Sequence, residues 1–112
     1  MKPTGEAVLT QLRKGVLEYC VLAALRAGPA YGLELAERLG ASELLLVSEG
    51  TLYPLLSRMR KQGWVTTRLR PSPVGPPRRY YELSSQGLAA LEVFRIEWAR
   101  FSAEVHQTLK ES

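Results

Sequence analysis

The chain has 112 residues, 46% of them hydrophobic and 23% charged, which suits one globular domain with a modest core and speaks against disorder. It contains one cysteine, one histidine and no aspartate, so it can form neither an intrachain disulfide nor a Cys/His zinc site, and the acid–base and nucleophile constellations of enzymes have no members to draw on. The net charge of +4 is a mild basic bias whose distribution says more than its total.

Residues 1–7 are expected to fray. The opening MKPTGEAV is interrupted by Glu6 and leads into no continuous apolar stretch, so it does not read as a signal peptide. No apolar run approaches the ~18 residues that span a bilayer, and a cytoplasmic protein without metal or cofactor is the expectation. A first helix is predicted from Val8 to Ala27. Leu9, Leu12, Val16, Tyr19, Cys20 and Ala23 follow helical spacing, while Leu17, Val21, Leu22 and Leu25 widen the apolar surface beyond one face. Cys20 reads as a small core residue, and Gly28-Pro29 stops the helix. A short second helix is predicted from Tyr31 to Leu39, with Gly32, Leu35, Ala36 and Leu39 on one face; Gly32 there would admit another backbone closely. Leu44-Leu45-Leu46-Val47 then predicts a short buried strand or a packed loop.

Ser48 to Gly63 is the stretch around which the rest is organised. Ser48 fits an N-cap and Glu49 the first helical turn. Leu52, Leu55, Leu56 and Met59 form an apolar stripe, and Thr51, Tyr53, Pro54, Ser57, Arg58 and Lys61 lie off it. Those side chains offer hydroxyls, a flat ring and positive charge, chemistry suited to a DNA major groove. An ordinary amphipathic surface helix would show the same stripe, so the flanking sequence decides. Pro54 predicts a local distortion, or a helix regular only beyond it.

Trp64 to Arg70 and Arg79 to Leu83 read as two strands joined by PSPVGPP, a stiff hairpin tip. Between Gly50 and Tyr81 lie seven basic residues and no acidic one; the rest of the chain has eight bases against eleven acids, or −3. Charge concentrated in this way suits a polyanion-binding surface, the alternative being a solvated basic surface with no partner. Ser84 caps a last helix that runs to about Leu109. Its Leu88, Leu91, Phe94, Trp98, Phe101 and Val105 make a heptad-like seam. Three aromatic rings there would be a large apolar patch in water. A second copy of the chain would cover it, or the helix could fold back on the first.

The order of elements is that of a winged helix-turn-helix with an added C-terminal helix, mainly α with a small β-hairpin. Residues 1–83 are expected to be the DNA-binding domain and 84–112 the dimerisation helix. The stretches LRKGVLEYCVLAAL, GPAYGLELAERL, VSEGTLYPLLSRMRKQGWV and GPPRRYYELSSQGLAAL closely resemble the PadR family of bacterial transcriptional regulators, in particular its small members with one C-terminal helix, over about Leu12 to Phe101. The resemblance implies a homodimeric DNA-binding repressor whose third helix reads the major groove and whose wing touches the backbone or minor groove. It places Thr51, Tyr53, Pro54, Ser57 and Arg58 on the recognition helix and Arg78 and Arg79 on the wing. Tyr31 and Gly32 match the start of the supporting helix, and Lys14 matches a basic residue able to reach phosphate. With Ser48 and Lys61 these form the expected DNA-facing set. In some small members an aromatic on the C-terminal helix stacks with flat drugs between subunits, and Trp98 is similar in placement; plain dimer core is its competing reading. Beside an operator-binding repressor stands a second class, a winged-helix protein-interaction module without sequence-specific DNA binding.

Overall fold

A computed structural model describes residues 4–45 and 48–112 of the chain. The elements are α1 (Gly5–Arg13), α2 (Leu17–Leu25), β1 (Ala30–Tyr31), α3 (Gly32–Gly40), α4 (Glu49–Lys61), β2 (Val65–Arg70), β3 (Arg78–Leu83) and α5 (Ser85–Glu111). This is the mainly helical fold with a small antiparallel sheet that the sequence predicts. Leu22 of α2, Leu35 of α3, and Leu52, Leu56 and Met59 of α4 are wholly buried against one another, with Val65 and Tyr81 closing the core from the sheet.

The first helix is in fact two. Lys14 turns extended and Gly15 takes φ +78°, a left-handed backbone that side chains with a Cβ resist, so helix resumes only at Leu17. Nor does the start fray at residue 7: the Thr4 hydroxyl accepts from Ala7 N at 3.0 Å, and α1 begins at Gly5. This helix buries no side chain of its own. Arg13 ties it down, donating from Nε to the Leu44 carbonyl oxygen at 2.8 Å and pairing through Nη1 with Glu6 at 2.8 Å.

The sheet has three strands in the order β1-β3-β2. Tyr31 lies opposite Tyr80 and Ala30 opposite Tyr81, while Val65 to Arg70 pair antiparallel with Leu83 to Arg78. The third strand of the sheet is therefore at Ala30–Tyr31. Leu44 and Leu45 lie in a turn, Leu45 partly buried against the core; Leu46 and Val47 fall outside the described residues.

The distortion expected at Pro54 is absent, because α4 is unbroken from Glu49 to Lys61. A proline inside a helix costs about 3 kcal/mol. Burying Leu52, Leu56 and Met59 contributes about 2 kcal/mol each and outweighs it.

At the base of α5 the Ser84 hydroxyl accepts from Gly87 N at 3.0 Å and donates to the Gly63 carbonyl at 2.6 Å, and Ser84 N donates to the Trp64 carbonyl at 3.1 Å. Gly87 packs so closely on that Trp64 carbonyl that a Cβ would overlap it. The long helix is thus fixed to the turn that follows α4. Leu91, expected on the dimer seam, is only 2% exposed and belongs to the protomer's own core, since this part of α5 packs on α2. Beyond it the 27-residue helix, about 40 Å long, leaves the body. The radius of gyration of 16.1 Å accordingly exceeds the ~13 Å of a compact chain of this length.

Candidate nucleic-acid interface

The α4 surface that faces away from the core carries Thr51, Tyr53, Pro54, Ser57, Arg58 and Lys61, all exposed. Ser48 caps the helix: its hydroxyl accepts from Thr51 N at 3.2 Å and donates to Thr51 Oγ1 at 3.1 Å. Tyr53 is 46% exposed, and its ring lies over the first residue of α3. A Cβ on Gly32 would stand 2.5 Å from the Tyr53 hydroxyl oxygen and 2.8 Å from two ring carbons. Gly32 is itself buried, and what approaches it closely is the Tyr53 side chain, not a backbone. Burial pushes the Tyr53 phenol above its ordinary pKa of 10.0, with Glu49 and then Tyr81 adding to the effect. The phenol therefore stays a neutral hydrogen-bonding group at pH 7.

Strand parity sorts the wing arginines. Successive strand residues face opposite sides, so Arg78 and Arg79 cannot share a face. Arg78 stands opposite Arg70 in the ladder, and both share a face with Tyr80. On that face the Arg78 guanidinium lies 4.5 Å over the Tyr31 ring and that of Arg70 lies 4.5 Å over the Tyr80 ring. Tyr31 and Tyr80 meet edge to face with centroids 5.4 Å apart. The result is a continuous stack of two cations and two rings from β1 across the hairpin. Arg79, on the other face, donates to Thr67 Oγ1 at 3.1 Å. Tyr31 thus connects the wing to the start of α3, and the next residue is the glycine under Tyr53. Arg70 and Tyr80 are functional candidates absent from the expected set; pairing the hairpin symmetrically about its proline-rich tip would have found Arg70 opposite Arg78.

Between the α1–α2 break and α4 lies a cleft of about 540 Å³, whose lining includes Arg13, Lys14, Glu18, Thr51, Pro54 and Arg58. Lys14 is exposed on its rim. Arg58 Nη2 pairs with Glu18 Oε2 at 3.2 Å across the cleft. Arg68 pairs with Glu82 at 3.2 Å, whereas Arg60, Lys61, Arg70, Arg78 and Arg79 make no ion pair among the described residues.

On α5, Leu88, Trp98, Phe101 and Val105 are exposed, joined by Val93 and Ile96, which the heptad spacing omits. Phe94 is half-buried, stacked on Tyr19 at 4.3 Å and 8°. Trp98 follows at 5.8 Å and 17° and is 45% exposed, so it ends the stack toward solvent. Burial also raises the pKa of the Cys20 thiol above its ordinary 9.0.

A helix seated on a two-helix support, a basic hairpin beside it and a long helix behind define a winged helix-turn-helix. The chain matches the Transcriptional regulator PadR-like family over residues 21–93 and belongs to that family, as its sequence motifs indicated. A PadR family transcriptional regulator from Eggerthella lenta has the same fold at TM-score 0.86, with 30% identity over 96% of this chain and 93% of that one. A PadR-like transcriptional regulator from Bacillus cereus is 40% identical over 88% of this chain and 96% of that one, at TM-score 0.77. Bacillus subtilis PadR in complex with operator DNA shares the fold at TM-score 0.67 and 23% identity, over 72% of this chain and 47% of that one. No curated protein matches the chain. Among the described residues, no helix is long and apolar enough to cross a membrane.

Proposed function

We propose that the chain is a cytoplasmic transcriptional repressor that binds an inverted-repeat operator as a homodimer. The observation that carries this reading is the adjacency of two surfaces: the outer face of α4, which beyond Glu49 of its first turn offers hydroxyls, the Tyr53 ring and positive charge, and the arginine–tyrosine stack of the wing, joined through Tyr31 and Gly32. In this reading residues 1–83 hold the DNA and residues 84–112 hold the partner. The α4 helices of the dimer enter successive major grooves ~34 Å apart. Arg58 is the guanine-reading residue, with Tyr53 and Ser57 on bases or phosphates and Ser48, Thr51, Pro54 and Lys61 lining the approach. Lys14, Arg78 and Arg79 supply sequence-independent attraction to phosphate. A second copy covers the exposed α5 residues Leu88, Trp98, Phe101 and Val105 and completes the stack begun by Phe94.

Retardation of a duplex from the gene's own upstream region, at two salt concentrations and against random duplex, tests the proposal. Operator preference that persists at the higher salt supports it. Binding to neither duplex favours a protein-interaction module instead.

The open end of the Tyr19–Phe94–Trp98 stack favours one addition, a small planar aromatic effector on Trp98. Such a ligand changes DNA affinity only if it binds the competent and incompetent dimers unequally. Trp98 fluorescence in a Trp64→Phe background should respond to planar aromatics. A flat response across a broad panel leaves Trp98 as dimer core.

A further inference from the structure

The Arg58 guanidinium, offered above as the base-reading group, is engaged by a carboxylate of the same chain. Glu18 comes from the first turn of α2, and its side chain is only 15% exposed, against 57% for Arg58. Its Oε2 accepts from Arg58 Nη2 at 3.2 Å, and the two residues are 40 positions apart in sequence. Glu18 also lines the cleft, together with Lys14, Thr51 and Pro54, so its charge sits inside the surface that would face DNA.

Resting on the operator-reading proposal, we infer that Glu18 is a specificity-determining positioning residue: it holds and neutralises Arg58 so that the guanidinium reads a base edge instead of seizing phosphate. An arginine carries five N–H donors in a planar fork, and the contact with Glu18 takes one of the two N–H bonds on Nη2, leaving the other to form, with the N–H of a neighbouring guanidinium nitrogen, the pair that matches the two acceptors of a guanine edge. A guanidinium beside a fixed carboxylate attracts phosphate weakly, because the pair is neutral at a distance. The partly enclosed carboxylate resists the departure of its counter-ion, so Arg58 keeps one orientation. Random DNA, which offers chiefly phosphate, then gains little from Arg58, whereas an operator guanine at the right place gains the remaining donors.

The test is anisotropy titration of operator and random duplexes over a salt series with wild type, Glu18→Gln, Arg58→Ala and the double variant. Glu18→Gln is expected to bind random DNA about 3-fold more tightly and to steepen its salt slope by about 0.9, one additional phosphate contact. Operator preference falls correspondingly. In the Arg58→Ala background the same substitution changes neither quantity. An unchanged slope and preference in Glu18→Gln overturns the inference, as does an equal effect with Arg58 absent, which would make Glu18 a general charge. Should Glu18→Gln not fold, as judged by circular dichroism, Glu18→Asp withdraws the carboxylate by one methylene and is read by the same criteria. A wild-type protein that binds both duplexes alike refutes the operator-reading proposal itself, a result distinct from selective binding that is indifferent to Glu18.

Discussion

Gly32→Ala separates stability from DNA reading. The added methyl would stand 2.5 Å from the Tyr53 hydroxyl oxygen and 2.8 Å from two of its ring carbons, distances at which the ring must move. These atoms are the far end of a half-exposed side chain, not backbone, so Tyr53 can swing outward. An off-rotamer adjustment of about 30° costs ~0.5–1.5 kcal/mol. Replacing glycine by alanine at the first residue of α3, where no positive φ stands in the way, returns ~0.4–1 kcal/mol through the unfolded chain. The two nearly cancel, so folding free energy in urea should change by less than about 1 kcal/mol. Operator affinity should nevertheless fall about tenfold, roughly 1.4 kcal/mol, because a groove-facing ring has been displaced. In a Tyr53→Ala background Gly32→Ala should cost no further affinity, since the clash has no partner. Wild-type operator binding by Gly32→Ala, or an undiminished loss in the Tyr53→Ala background, would refute the claim that Gly32 exists to seat Tyr53.

Gly87→Ala is a different case, because its Cβ would meet the Trp64 carbonyl, which is backbone; a loss of about 3 kcal/mol in urea denaturation is expected. Phe101→Glu puts a charge in the exposed seam of α5 and should convert a dimer to monomer in sedimentation, with operator binding weakened in parallel. Arg79→Ala should weaken operator and random DNA alike and flatten the salt slope by about 0.9, whereas Arg58→Ala should chiefly relax base preference. Folding favours the protonated Cys20 thiol, since burial raises its pKa. That contribution is present below pH 9.0 and is lost as pH rises through the folded-state value, so wild type should lose more stability than Cys20→Ala between neutral pH and pH ~10.5. Parallel losses in the two proteins would contradict this.

Much of the scaffold was legible in local chemistry. Ser48 and Ser84 announced their helices because a hydroxyl before an apolar-periodic run is a capping signal, and both hydroxyls do cap. The basic hairpin was legible because its proline-rich tip interrupts two β-rich runs. The break at Gly15 was not, since apolar spacing continues across it and a glycine costs a helix only about 1 kcal/mol. Two-residue β1 is too short to alternate. Leu91 fits the α5 seam by spacing, yet burial depends on where α2 docks, which no local pattern records. The site shows the same division. The exposed side of α4 could be read from its period, but the Glu18–Arg58 pair and the Tyr31–Tyr80 contact join residues far apart in sequence and appear only once the fold brings them together.

Hydroxyl-radical footprinting of the upstream duplex tests most directly the claim that paired α4 helices read an operator. Two protected half-sites related by a dyad, with centres one helical turn (~10 bp) or a whole multiple of it apart, are the result predicted. Uniform protection along the duplex, or none at protein concentrations that retard it, would contradict the account.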